Sequence, residues 1–220
     1  MVRSNALFAI AAASTAVVSN AGEYKIRIRN LTWKQPFSPP LVVAHTSDVA
    51  IFKEGFAASD ALQLLAENGD ISGLHELGEQ DDVFPFICGA VGADTPLLGG
   101  ETWRGLMYVD DDICGGNPKF SVVSMLVNTN DAFVGIDSED LITSGASKFY
   151  PPAFDAGTEE NDELCAYIPG PACADVPGNL AAGNGEGYVH IHRGIHGIGN
   201  LTEAVYDWRN PVAEVAVFAP

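Results

Sequence analysis

The sequence predicts an all-β fold, an antiparallel β-sandwich carrying one short helix. Three observations carry that expectation. Short runs of β-branched and aromatic residues recur along most of the chain. Gly (23 residues) and Pro (13 residues) punctuate them with turn chemistry. A single segment has both a helix start and a helix stop. With 220 residues, 47% of them hydrophobic, the chain can bury a sizeable core in one domain, and two full domains would be cramped.

The elements follow in order. Tyr24-Lys25-Ile26-Arg27-Ile28-Arg29 alternates apolar and polar side chains, as a strand with one buried and one wet face does. Gln35-Pro36-Phe37-Ser38-Pro39-Pro40 interrupts the pairing, and residues 41–44 and 49–52 read as the next strand region. Ser59 is a good N-cap, residues 61–67 are strong helix formers, and Gly69 stands where a helix should stop. Residues 71–77 have room for another helical turn or two. From Asp82 onward the pattern is β, with strand candidates at 102–109, 119–127, 132–136, 187–192 and 212–218. Residues 144–185 are acidic and rich in Gly and Pro, so little regular structure is expected there. A loop of that length is usually functional or pinned by something.

Lys and Arg total 11 against 29 Asp and Glu, a formal charge of −18. Neutralising phosphates takes a basic surface, so nucleic-acid binding and docking on anionic lipid are both disfavoured. A carboxylate surplus suits a secreted protein, especially one that holds hard cations. Arg3, the short apolar run of residues 6–18 and Ser19-Asn20-Ala21 have the build of a secretory signal peptide cut after Ala21. The expected organisation is a signal peptide over 1–21 and one secreted, extracellular domain over 22–220, with no transmembrane segment. Export makes disulfides permissible. Cys88, Cys114, Cys165 and Cys173 allow three pairings. Cys165 and Cys173 bracket a turn-rich loop, which favours Cys165–Cys173 together with Cys88–Cys114.

Several catalytic signatures are missing. His75-Glu76-Leu77-Gly78-Glu79 lacks the second histidine of a zinc-protease helix, and there is neither a GxSxG elbow nor a P-loop lysine. Asp110-Asp111-Asp112 reads as a solvated turn. Two acidic segments remain, Asn128-Thr129-Asn130-Asp131 and the stretch from Asp155 to Glu163. Asp155 and Glu159 flank a turn that Gly157 allows to tighten. With a third carboxylate from a neighbouring loop they would make an oxygen cage for Ca2+, the other reading being a solvated acidic loop.

At this point a family resemblance emerges. Pro36-Phe37-Ser38-Pro39-Pro40-Leu41-Val42, His45-x-x-Asp48, and Glu54-Gly55 with Ala58-Ser59 resemble the spondin domain, also found as a stand-alone secreted domain in microbes. The residues of 120–127, Asp131-Ala132-Phe133-Val134-Gly135, residues 150–159, Glu186 to His192 and Asp207-Trp208-Arg209-Asn210-Pro211 continue the likeness in order. It covers about residues 22–218. The resemblance implies a sandwich similar to a C2 domain with one bound Ca2+, its ligands falling on Asp131, Asp155 and Glu159. Two positions depart from the animal pattern: Ala132 separates Asp131 from the aromatic Phe133, and Glu159 stands for an Asp. The thrombospondin-like repeats of animal relatives are absent, so functions that need them do not carry over.

His190 and His192 share one face of a strand, and His196 follows a turn. Three imidazoles there could meet a copper or zinc ion, although a wet sheet face or a network with Asp207, Trp208 and Arg209 is the favoured reading. Trp103, Tyr108 and Trp208 suit either a sugar-binding face or, more readily, the core. Asn30-Leu31-Thr32 and Asn200-Leu201-Thr202 are glycosylation sequons. The expected role is a non-enzymatic Ca2+-stabilised module for extracellular binding or adhesion, its partner an extracellular protein or polysaccharide. A copper or zinc protein using His190, His192 and His196 is the alternative. A hydrolase built on carboxylates near Asp155 ranks last, since no apolar pocket is legible.

Overall fold

The computed structural model describes residues 21–76, 86–176 and 182–220, so the expected signal peptide lies outside it apart from Ala21. Among the described residues, ten strands form two antiparallel sheets. They are β1 (Ala21–Asn30), β2 (Leu41–His45), β3 (Ile87–Gly92), β4 (Thr102–Asp110), β5 (Lys119–Met125), β6 (Ala132–Asp140), β7 (Ala146–Phe149), β8 (Ala153–Asp155), β9 (His190–Ile191) and β10 (Ala213–Phe218). A four-stranded sheet runs β4-β1-β10-β7 and a six-stranded sheet runs β3-β2-β5-β6-β8-β9. The all-β sandwich is therefore as expected.

The two sheets differ in what covers them, and their sequences say so. On β1, Tyr24, Ile26 and Ile28 point into the sandwich against Val42, Phe120, Val122 and Val134 of the facing sheet. Their polar neighbours stay outside, so β1 alternates. The six-stranded sheet is buried on both faces. Its second face packs Leu41, Val43, Val123, Phe133 and Phe154 under helix α1 (Asp60–Asn68) and α2 (Ser72–Glu76), through Leu62, Leu65, Ala66 and Leu74. All five residues of β2 are buried for that reason. α1 begins where expected, with the Ser59 hydroxyl accepting from the Leu62 N–H at 3.2 Å. It ends at Gly69, which is left-handed.

Four expectations are corrected. Residues 49–52 form no strand: Ile51 and Phe52 drop onto the second sheet face, where the Phe52 ring meets Phe133 edge-on at 5.0 Å. Gly135 leaves the room, since a Cβ there would stand 2.6 Å from that ring. The strand expected over 187–192 shrinks to His190–Ile191. The described residues of 144–185 have more regular structure than expected, with β7 and β8 pairing into opposite sheets and a 3-10 turn at Pro171–Cys173. Two further short helices accompany the expected ones, α3 (Asp111–Cys114) and α4 (Glu203–Tyr206). Asp110 caps α3 by accepting from the Asp112 and Ile113 N–H groups.

Both disulfides have the expected partners, Cys88–Cys114 and Cys165–Cys173. The sequon asparagines part ways. Asn200 is exposed, whereas Asn30 is fully buried. The Asn30 amide donates to the carbonyls of Gln35 (2.8 Å) and Leu97 (3.0 Å), and its oxygen accepts from the Thr32 N–H and hydroxyl. It is a structural lock on the turn after β1.

Candidate functional site

The expected ligands gather at one end of the six-stranded sheet. Asp131 immediately precedes β6, Asp155 ends β8 and His190 opens β9. The register sets Ala132 opposite Asp155, and Asp155 opposite His190, so these side chains sit on adjacent strand ends. Between β8 and Glu159 the chain turns tightly at Gly157, with φ +68. Asp155 Oδ1 accepts from the Gly157 N–H at 2.7 Å. Asp131 Oδ2 accepts from the Thr158 N–H (2.7 Å) and the Glu159 N–H (3.0 Å). One aspartate thus closes the turn from within and the other clamps it from β6. Glu159 Oε1 accepts from the Ala182 N–H at 2.8 Å, tying the turn to the segment beyond.

All three carboxylates are buried, at 0%, 1% and 2% exposure for Asp131, Asp155 and Glu159. Burial, and then the charge of Asp155, pushes the Asp131 carboxyl well above the usual range. Burial also raises Asp155. Burial takes Glu159 up to about 8, with Glu67, Asp131 and Asp162 adding repulsion. Two buried oxygens, Asp131 Oδ1 and Glu159 Oε2, have no hydrogen-bond partner among the described residues. A buried acceptor left in that state is costly, and a hard cation is a natural partner for it. Carboxylate oxygens are donors of the type that Ca2+ takes. The three residues do not, however, each bring an oxygen within 4.8 Å of the other two.

Residues 29–162, more than half of the chain, match the family model described as Spondin_N. The chain belongs to the spondin family. No curated protein matches it. The two disulfides of this spondin domain fit an extracellular location. No helix among the described residues is long and apolar enough to cross a membrane. Asp131, Asp155 and Glu159 all fall inside the matched segment, whereas His190, His192 and His196 fall beyond it.

The spondin domain separates the three histidines by role. His192 is buried and locked in a network the sequence did not reveal. The carbonyl side of Asn161 can only accept, so His192 Nε2–H donates to it at 2.9 Å, and Nδ1 accepts from the Gly194 N–H. The Asn161 amide in turn donates to Asp155 Oδ2 at 2.6 Å. The His192 ring lies 5.1 Å from that of Trp208. Burial, then the charges of His190, His196 and Arg193, hold its pKa down at about 3. Both nitrogens are engaged, so it is a positioning group and not a free ligand. His196 is exposed, and its backbone N–H donates to Glu163. The three imidazoles therefore do not converge.

His190 instead meets two carboxylates. Its Nδ1–H donates to the Ile191 carbonyl at 3.1 Å, and Nε2 faces Asp155 Oδ1 (3.8 Å) and Glu186 Oε2 (3.7 Å). Nε2 is buried and has no hydrogen-bond partner. Asp155, Glu186 and His190 each offer an atom within 4.8 Å of the others. A ring nitrogen set against two carboxylates needs a proton or a metal ion between them. Glu186 opens a stretch that carries the family resemblance, but neither periodicity nor spacing nominates it as a ligand. Its proximity comes from the turn before β9.

Glu163 was also missed as an organiser. It is buried, with φ +56, and its carboxylate accepts from the N–H groups of His196 (2.5 Å) and Ile198 (3.0 Å). It therefore fixes the 194–198 loop beside a cavity of about 40 Å³ that Asp155, Asn161 and His192 also line.

Proposed function

We propose that this spondin domain is a secreted, calcium-stabilised module that binds an extracellular partner through the loops at its Asp155 end. Residues 1–21 serve as its export signal and 22–220 as one domain. The observation that supports the reading is the pair of buried, partnerless carboxylate oxygens on Asp131 and Glu159. Asp131 and Asp155 would hold the ion, and Glu159 would contribute its free oxygen. Bound calcium supplies the positive charge that offsets crowded carboxylates. The chain does the rest. Asp131 clamps the 157–159 turn, Asn161 fixes Asp155 through its amide, and His192 holds Asn161 in place. The role is binding and not catalysis.

Calorimetric titration of the chelated protein with Ca2+ tests this. Binding that is weaker with Mg2+ and lost in Asp131→Asn and Asp155→Asn, with both variants still folded, agrees with the reading. No heat from Ca2+ refutes it. A second reading rests on the free Nε2 of His190: a zinc or copper ion at Asp155, Glu186 and His190. It replaces the three-histidine arrangement. Zinc binding that His190→Ala abolishes, while calcium binding persists, would favour it.

A further inference from the structure

The outer face of the four-stranded sheet is basic, in a protein whose formal charge is −18. On β1, Lys25, Arg27 and Arg29 point outward. The register sets Arg27 between Arg104 of β4 and Ala216 of β10, and Ala216 opposite Lys148 of β7. Arg104, Arg27 and Lys148 therefore stand on one line across all four strands. The neighbouring line is Leu106, Lys25, Phe218 and Ala146. Five of the 11 basic residues in the chain, Lys25, Arg27, Arg29, Arg104 and Lys148, share this one face.

The carboxylates on the same face are already engaged. Glu214 pairs with Arg27 at 2.5 Å, Glu23 accepts from the Tyr108 hydroxyl at 3.3 Å, and Asp110 caps α3. Lys25, Arg29, Arg104 and Lys148 make no ion pair with a described residue. Cations set directly opposite each other on paired strands repel; Arg27 has Glu214 as its counter-ion, whereas Arg104 opposite it has no ion-pair partner among the described residues and is open to an anion from outside. A groove of about 450 Å³ runs past Lys25, Arg27, Arg104, Leu106 and Phe218.

We propose that this face binds a linear polyanionic polysaccharide, sulfated or uronate-bearing. Arg104 and Arg27 stand one strand spacing apart, about 4.8 Å, Lys148 lies two spacings beyond Arg27, and Lys25, Arg27 and Arg29 recur at roughly 7 Å along β1, a spread of charge suited to a polymer with repeated anions. Guanidinium forks take carboxylate and sulfate bidentately. Exposed Leu106, Tyr108 and Phe218 offer apolar and aromatic surface for sugar rings beside those charges. A protein partner fits less well, because interface cores are depleted in Lys. A nucleic-acid duplex carries one charge per about 1.7 Å, and the acidic remainder of the protein opposes it more than a sparser glycan. The face belongs to the sheet opposite Asp155, so this goes beyond the calcium reading and stands or falls apart from it.

The test is binding of the full protein to immobilised heparin and to polygalacturonate, in chelator, at about 0.15 M salt and below. Binding to either that weakens with salt is expected. Lys25→Ser with Arg104→Ser should weaken it by about tenfold per cation removed, with the melting temperature kept. Lys34→Ser with Lys53→Ser removes the same charge elsewhere and should leave affinity unchanged. No binding to either polysaccharide, equal losses from both double variants, or tighter binding to a DNA duplex or to a second copy of the chain would overturn the proposal.

Discussion

Replacing Gly157 by alanine should loosen the candidate site and the strand beside it together. Gly157 has φ +68, and a Cβ there would stand 2.4 Å from the Tyr188 carbonyl oxygen and 2.7 Å from the Tyr188 nitrogen. Both atoms are backbone, so the segment leading to His190 has to move. The left-handed backbone alone costs alanine about 1–2 kcal/mol, and the forced displacement adds roughly 1–3 kcal/mol. A total near 3 kcal/mol lowers the melting temperature of a domain this long by roughly 6–12 °C. Gly145 supplies the control. Its φ is +75 with nothing within 4 Å of a built Cβ, so Gly145→Ala bears the backbone cost alone. Circular-dichroism melts of both variants separate the two contributions. If Gly157→Ala melts within about 2 °C of Gly145→Ala, the turn is not pinned against Tyr188 and the reasoning fails.

Further outcomes follow from other parts of the molecule. Glu159 is raised to about 8 in the fold, and an ordinary glutamate titrates far lower in the unfolded chain. Between pH 9 and 7 the chelated native state therefore takes up a proton that the unfolded state does not. Stability should rise as pH falls, by up to about 1.4 kcal/mol per unit, seen as a rising urea midpoint. Asn30→Ala takes one donor each from the Gln35 and Leu97 carbonyls, which keep the Thr32 hydroxyl and the Phe37 N–H, and leaves the Thr32 N–H without its acceptor; it should cost about 2 kcal/mol by the same measurement. When the protein is made in a glycosylating host, intact mass should show glycan on Asn200 and none on Asn30. Removing Cys88–Cys114, which spans 26 residues, should cost about 1 kcal/mol more than removing Cys165–Cys173, which spans 8.

What was legible in the sequence depended on how many sides of an element are covered. β1 faces the core on one side only, so its alternation stated both its type and its orientation. Ser59 and Gly69 act through their own backbone, so α1 was readable to within a residue. Residues 49–52 are as apolar as a strand, but the side chains serve a second face of the sheet, and that depends on α1 and Phe133 rather than on local pattern. β8 is three residues long and owes its existence to β6 on one side and His190 on the other. Within the site, Asp131, Asp155 and Glu159 could be nominated because carboxylates and a glycine cluster in two short segments. Asn161 and Glu163 could not, since each acts on a partner distant in the chain, His192 and the 194–198 loop; Glu186 is only four residues from His190, but the turn that joins them has no helical or strand period to announce the contact. The basic face was equally hidden. Lys25, Arg27 and Arg29 alternate along one segment, but Arg104 and Lys148 join them only through strand register.

The central claim is that calcium completes the carboxylate end of the six-stranded sheet. Thermal melts of the protein in chelator and then with added Ca2+ test it most directly. At a hundredfold excess over its dissociation constant, a ligand adds about 2.7 kcal/mol. That predicts a midpoint roughly 5–10 °C higher, a smaller shift with Mg2+, and none in Asp155→Asn. A midpoint indifferent to Ca2+, or one that rises equally in Asp155→Asn, would contradict the claim.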